Sequence, residues 1–416
     1  MRSLYHKHNM TCGIATIALT ASFLIASSCF FGVSASAAHS YYGKPYLTWQ
    51  GDPGTTMTIT YHTEAQPAAV QAVYDLVGAS DELRHRAVGK SWQIPGLPDG
   101  RYINSVELTG LTPGQHYYFR IGDGNDFSDA YMFRTIPSTD EPIRFAIGGD
   151  TLATFIFEAL VEQAAAENPL FLVVGGDLSY ADGDFEKIDR WDSWFERWHN
   201  SATTRDGCLI PLVMAIGNHE TNRLEGSHEE RAPFFFGFFP QSGKTYWAHQ
   251  FGGNLGFIVL DTNHLVPHDE QVGFLQEKLK AYEALPFRAA VYHVPLYPSH
   301  RSFDGGGSVA GREHWLPLFD AYKLSVGFEN HDHTFKRTKL LKNNEIHAAG
   351  TLYVGDGNAG VMPRVPNEDL WYMEKVSRDS HFWIVDVSAT EMRLRAINRD
   401  GDIFDEAVLH AANENN

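Results

Sequence analysis

The chain has 416 residues, enough for two or three domains. Its 43% hydrophobic and 20% charged residues put it near the globular average, with enough apolar mass for a sizeable core. The formal net charge of -18 at pH 7 argues against non-specific binding to nucleic acid and suits a soluble protein. It does not bar phosphate ligands, because bound metal ions can dominate the local field.

Residues 1–37 read as a signal peptide. Arg2 and Lys7 supply positive charge, an apolar run extends from Gly13 to Val33, and Ala35-Ser36-Ala37 offers a small-residue cleavage site. Cleavage there implies a secreted or periplasmic protein. The run is long for such a segment, so an uncleaved membrane anchor is the alternative. Cys12 and Cys29 lie in this segment. The mature chain would keep only Cys208, with no intrachain disulfide, and its fold would rest on its core and on any metal it binds. Cys208 itself reads as a small buried hydrophobe.

Residues 40–138 have the composition of short strands, as in Met57–Tyr61 and Ala69–Tyr74, punctuated by turns at Gly51–Gly54, Pro98–Gly100 and Thr112–Gly114. This pattern indicates an all-β sandwich. Leu111, Pro113 and Tyr117 resemble the tyrosine corner of fibronectin type III domains, so the segment is expected to be fibronectin type III-like. Trp49 and the Tyr-rich strands are read as core in preference to a binding face for polysaccharide. Ser138–Pro142 is a short polar linker.

From 143 to 410 the pattern changes to alternating strands and helices, which predicts an α/β domain of sheets flanked by helices. Strands are expected at 143–147, 170–174, 209–216, 255–260, 289–292 and 324–328, and a terminal hairpin at 382–387 and 392–397. Helices are expected at 154–167, 186–198, 270–283 and 315–322. Trp191, Trp194, Phe195 and Trp198 fall at helical spacing and are assigned to core. The aromatic insertion Phe234–Pro240 reads as a loop packed over the sheet or as a wall of a cleft. Gly305-Gly306-Gly307 reads as a lid hinge or a surface turn.

Chemistry-bearing residues sit at the strand ends. Asp150, Asp177, Asn218 and His293 each follow an apolar run, and His331 and His333 follow another. In a mostly parallel sheet the strand C-termini share one edge, so these distant residues would converge. Each has a plain alternative when taken singly. Asp150 can cap a helix, Asn218 can be a turn residue, His293 can be a satisfied core histidine, and His331-Asp332-His333 can be a polar turn.

Five ordered motifs make the set more than the sum of these. Gly149-Asp150, Gly176-Asp177-Leu178-Ser179-Tyr180, Gly217-Asn218-His219-Glu220, His293-Val294-Pro295 and Asn330-His331-Asp332-His333 together resemble the signature of the metallophosphoesterases, and specifically its purple acid phosphatase-like branch. The resemblance implies a dinuclear metal centre that hydrolyses small phosphate esters by attack of a metal-bound hydroxide. It implies Asp150, Tyr180 and His333 for one metal and Asn218, His293 and His331 for the other, with Asp177 as the carboxylate shared by both.

Many relatives carry a histidine two residues beyond the first aspartate. Here that position is Leu152, which cannot bind metal, and Tyr180 supplies the ligand instead. A phenol ionises near pH 10, so binding it as phenolate requires a strong, hard Lewis acid. Fe(III) is therefore expected at the first site, and Zn, Fe(II) or Mn at the second. His219 resembles the phosphate-contacting histidine of the family, and His300 is a second candidate for protonating the leaving group. Glu220 either orients His219 or satisfies its loop. Asn330 stands where the family usually has glycine, and is expected to hold the turn because asparagine tolerates left-handed backbone. The principal expectation is a phosphomonoesterase. A phosphodiesterase or nucleotide hydrolase of the same architecture, and a surface binding protein with a decayed catalytic domain, are the alternatives.

Overall fold

A computed structural model describes residues 41–78, 83–139, 141–222, 224–241 and 243–411. The expected signal peptide, with Cys12 and Cys29, lies outside the described residues. Among the described residues no helix is long and apolar enough to cross a membrane.

The alternating N-terminal sequence forms two four-stranded antiparallel sheets, one centred on Met57–Thr63 and Tyr102–Leu108, the other on Gln71–Leu76 and His116–Gly122. In His116–Gly122, Tyr117, Phe119 and Ile121 are buried while Tyr118 and Arg120 face out, as a half-buried strand requires. The Tyr117 hydroxyl accepts the Thr112 N–H at 2.8 Å, closing the corner that the sequence resembled. Trp49 is buried edge-on against Phe171 and Phe251, so it belongs to a core shared with the following domain. Arg101, 3% exposed, adds a bidentate ion pair to Asp192 across the same junction, at 2.5 and 2.9 Å.

The α/β domain contains two large sheets. One runs Leu212–Met214, Phe171–Val174 and Ile143–Gly148 in parallel, followed by Phe382–Val387, Glu391–Ile397 and Ile403–His410 in antiparallel. The other has four adjacent parallel strands, Leu255–Val259, Phe287–Val291, Val326–Glu329 and Leu352–Gly355, with antiparallel edges. Phe145 meets Phe257 and Phe328 edge to face at 5.8 and 6.0 Å, so the sheets stack on each other. Phe145, Ile147, Phe171 and Val173 fill this inner layer. Ala146, Leu172 and Val174 pack outward against helices Phe155–Ala166 and Ile188–Ser201. Burial on both faces explains why these strands read as continuous apolar runs. On the far side, Ile258, Ala290 and Tyr292 pack against Leu275, Trp315 and Phe319.

Three readings change. The strand ends divide between two sheets and do not share the edge of one. Phe234, Phe235, Phe238 and Phe239 are buried against Trp191, Phe195 and residues of the sandwich, so most of the aromatic insertion is core, while Phe236 and Gly237 line a cavity with Trp92, Ile94 and Phe185. The triple glycine begins helix Gly306–His314, whose Ser308 donates to the Pro295 carbonyl at 2.6 Å. Gly305 caps this helix and Gly306 and Gly307 lie in its first turn, so the stretch is a helix start and not a surface turn.

Candidate metal centre

Each candidate ligand emerges from a turn just beyond a strand. Asp150 follows Ile143–Gly148, Asp177 follows Phe171–Val174, and Asn218 opens a short 3₁₀ turn beyond Leu212–Met214. His293 follows Phe287–Val291, and His331 and His333 follow Val326–Glu329. The first sheet thus contributes oxygen donors and the second contributes imidazoles. Asp150, Asp177, Tyr180, His331 and His333 all have left-handed backbone, with φ between 55° and 75°. Non-glycine residues rarely adopt this conformation, and such strain collects at functional turns.

The side chains form two groups. In the first, Asp150 Oδ1 lies 3.0 Å from both Tyr180 Oη and His333 Nε2, which are 3.3 Å apart. In the second, His293 Nε2 lies 3.1 Å from Asp177 Oδ2, 3.2 Å from Asn218 Oδ1 and 3.0 Å from His331 Nδ1. The groups adjoin: Asp150 Oδ2 accepts the backbone N–H of His331 at 2.9 Å, and the Thr151 N–H donates to the Asp177 carbonyl at 3.0 Å.

Burial and close charges act together in both groups. His293 Nδ1 lies 2.9 Å from the Gly175 carbonyl, an acceptor, so this nitrogen carries the proton and Nε2 faces Asp177, Asn218 and His331. Burial works against charge on His293, but Asp177 and Asp150 outweigh it and raise the imidazole well above its usual range. The same burial, with His293 alongside, lowers His331 far below it. Burial would raise Asp177, yet His293 and His219 hold it below the usual carboxylate range. Burial, then Asp150 and Asp177, push the Tyr180 phenol far above its ordinary value. A buried phenol and carboxylates packed at hydrogen-bond distance around imidazole nitrogens form a donor set that fits multivalent cations.

The surrounding residues hold these turns in register. Glu220, buried, accepts backbone N–H groups from Gly217, Asp177 and Leu178, each at 2.8 Å, so it satisfies the loop and does not orient His219. Burial, then Asp177, push its carboxyl up to about 7. Asn330 is not left-handed; His331 and His333 are. The Asn330 side chain instead fills the space beside Gly149 and Gly175 and donates to the Tyr292 carbonyl at 3.0 Å, bridging the two sheets. Its tolerance therefore comes from packing and not from backbone freedom.

His219 lies beside both groups. Its ring packs on Tyr180 with centroids 4.2 Å apart, and its Nε2 is 4.0 Å from Asp177 Oδ2. Asp182 grips its Nδ1 at 2.5 Å, and Lys187 in turn holds Asp182. Burial would raise Asp182, but Lys187 and His219 keep it below the usual carboxylate range. Nothing in the sequence links Asp182 to a residue 37 positions on, beyond its place two residues after Tyr180. His300 is not brought into hydrogen-bond contact with the donor groups among the described residues. It is exposed, and its Nδ1 is 2.8 Å from the Val365 carbonyl.

Stacked sheets that bring carboxylate, phenol and imidazole donors together at their strand ends define a metal-dependent phosphoesterase fold. Residues 43–135 match the family model of the purple acid phosphatase N-terminal domain, and residues 143–335 match that of calcineurin-like phosphoesterases. The chain belongs to the purple acid phosphatase-like metallophosphoesterases. It is 25% identical over 337 residues to purple acid phosphatase 15 of Arabidopsis thaliana, a match covering 71% of this chain and 62% of that one. It is 24% identical over 368 residues to probable purple acid phosphatase 20 of the same plant, covering 83% and 82%. The fold is similar to that of purple acid phosphatase PPD1 from yellow lupin seeds, with a TM-score of 0.73 at 18% identity, covering 88% of this chain and 74% of that one. It is also similar to PhoD, with a TM-score of 0.67 at 13% identity, covering 90% of both chains. Family membership implies a dinuclear metal centre and phosphate ester substrates.

Proposed function

We propose that this protein is an exported phosphatase that hydrolyses phosphomonoesters at a dinuclear metal centre. The observation that carries the proposal is the pair of adjoining donor groups, with the atoms of the first 3.0–3.3 Å apart and those of the second 3.0–3.2 Å from His293 Nε2. Asp150, Tyr180 and His333 would hold one metal, and Asn218, His293 and His331 the other, with Asp177 between them. When bound, the two cations neutralise the phosphoryl oxygens and lower the pKa of water. The hard phenolate donor favours Fe(III) at the first site, with Zn, Fe(II) or Mn at the second. His219, held by Asp182 and 29% exposed, presents Nε2 toward the same space and is the group that meets the phosphate or the departing oxygen. Export is read by N-terminal sequencing of protein recovered outside the cytoplasm, with a start near Ala38 expected.

The test is hydrolysis of a phosphomonoester and a phosphodiester by metal-replete protein. A higher kcat/KM on the monoester is expected. Preference for the diester would reassign the substrate class, and hydrolysis of neither would overturn the enzyme reading. Two variants probe named residues. Tyr180→Phe should remove a visible tyrosinate-to-iron absorption band from the protein. A band unchanged in the variant would refute Tyr180 as the iron ligand. Asp182→Asn should lower kcat by about 10- to 100-fold with metal content unchanged, because it loosens His219 without touching a ligand. Loss of metal in that variant would instead assign Asp182 to the metal sites.

A further inference from the structure

His116 opens the sandwich strand His116–Gly122, and a tight turn of the α/β domain meets it there. That turn, 204–208, lies between helix Ile188–Ser201 and strand Leu212–Met214. The Thr204 N–H donates to the Cys208 carbonyl and the Cys208 N–H donates to Thr204 Oγ1, both at 2.9 Å. Gly207 supplies the left-handed step, with a φ of 89°. The Leu209 N–H then donates to the Met132 carbonyl at 2.7 Å, which fastens the turn to the sandwich. A closed turn on one domain therefore holds Asp206 and Cys208 against a histidine of the other.

A His116 ring nitrogen, an Asp206 carboxylate oxygen and the Cys208 sulfur all lie within 4.8 Å of one another. Among the described residues Asp177, His293 and His331 are gathered as closely, and those belong to the candidate centre. His116 Nε2 is 3.4 Å from Asp206 Oδ2. Tetrahedral zinc, with bonds of about 2.0–2.3 Å, sets its ligand atoms about 3.3–3.6 Å apart. The pair already has that spacing, and the sulfur reaches it by a shift of about 1 Å. The side chains of His116 and Asp206 are 36% and 51% exposed, so they have room to make it. One imidazole, one carboxylate and one thiolate suit zinc, whereas calcium and magnesium take oxygen donors.

We infer that His116, Asp206 and Cys208 form a separate site for one zinc ion, which clamps the sandwich to the α/β domain. Water is the fourth ligand, because Thr204 Oγ1 is already engaged by Asp206 Oδ1 and the Cys208 N–H. Burial, then Asp206, push the metal-free thiol up to about 12; zinc takes the place of its proton, which passes to solvent. Arg134, a cation nearby, is occupied by Glu141 and the Gly114 carbonyl. The inference does not depend on ester hydrolysis.

The test adds cobalt(II), a spectroscopic substitute for zinc, to protein whose catalytic centre is already loaded with metal. A thiolate-to-cobalt charge-transfer band is expected, saturating at about one added ion per chain. None of the donors proposed for the catalytic centre is sulfur, so the band reports a cysteine. Cys208→Ser should abolish it, which excludes Cys12 and Cys29 as its source. His116→Ala, at a half-exposed position where folding is expected to persist, should abolish it too. Ester hydrolysis should be unchanged in both variants. Zinc should raise the thermal unfolding midpoint of the wild type and not that of His116→Ala. No band in the wild type, or a band that survives either substitution, overturns the site. An equal rise in midpoint in the wild type and His116→Ala overturns the clamp.

Discussion

Asp177→Asn is expected to reduce ester hydrolysis by more than about 1000-fold, or about 4 kcal/mol of transition-state stabilisation. Metal content should fall from about two ions per chain to below one. Asp177 is 1% exposed, and its Oδ2 faces His293 while its Oδ1 accepts the backbone N–H of His219 at 2.8 Å. Asparagine keeps the volume and much of the hydrogen bonding, so the fold should persist. What it removes is the negative charge that two cations would share. It also places an amide against His293, where a carboxylate oxygen now stands. Elemental analysis and steady-state kinetics on one preparation check both effects. Wild-type metal content and activity in the variant would refute the shared-carboxylate assignment.

The second large effect concerns stability. Lys336→Met is expected to destabilise the protein by about 3–5 kcal/mol, because it leaves buried acidic groups without their cation. Lys336 is fully buried, with Nζ 2.5 Å from Glu329 Oε2, 3.2 Å from Asp356 Oδ2 and 2.6 Å from the Tyr297 carbonyl. Glu329 also accepts the Tyr292 hydroxyl and the Leu296 N–H, at 2.8 and 2.7 Å. Burial opposes charge on Lys336, but Asp356 and Glu329 outweigh it and raise its pKa. Burial pushes Asp356 well above the usual carboxylate range. This cluster anchors the turns that carry His293 and His331–His333. Against a total stability of about 5–15 kcal/mol, the loss would be large in denaturant unfolding. A change below about 1 kcal/mol would mean that Glu329 and Asp356 accommodate each other without the lysine.

Much of the site was legible before the structure. Asp150, Asp177, Asn218, His293, His331 and His333 stood out because each follows an apolar run, and a run buried on both faces marks a strand end. Tyr180 was legible because Leu152 left a donor missing nearby. Asp182 and Lys336 were not. Asp182 works through His219 from the turn beyond the neighbouring strand, and Lys336 through Glu329 and Asp356 from neighbouring strands of its own sheet, and no periodicity reports such pairings. The strands of 335–377 are not legible because they are short, with Phe335–Thr338 reading as one apolar residue followed by two basic ones and a threonine and not as an alternating run.

The sequence by itself determined the two-part architecture, the family and the donor types, since these depend on local composition and on motifs a few residues long. Only the tertiary structure decided how the donors divide. Two sheets had to stack through Phe145, Phe257 and Phe328 before the carboxylates of one could face the imidazoles of the other. The same stacking made Asn330 a wedge between Gly149 and Gly175, while the parallel pairing of Phe171–Val174 with Leu212–Met214 put Asp182 behind His219. These are contacts between residues far apart in the chain. Their geometry depends on packing across the whole domain, which no local pattern of residues records.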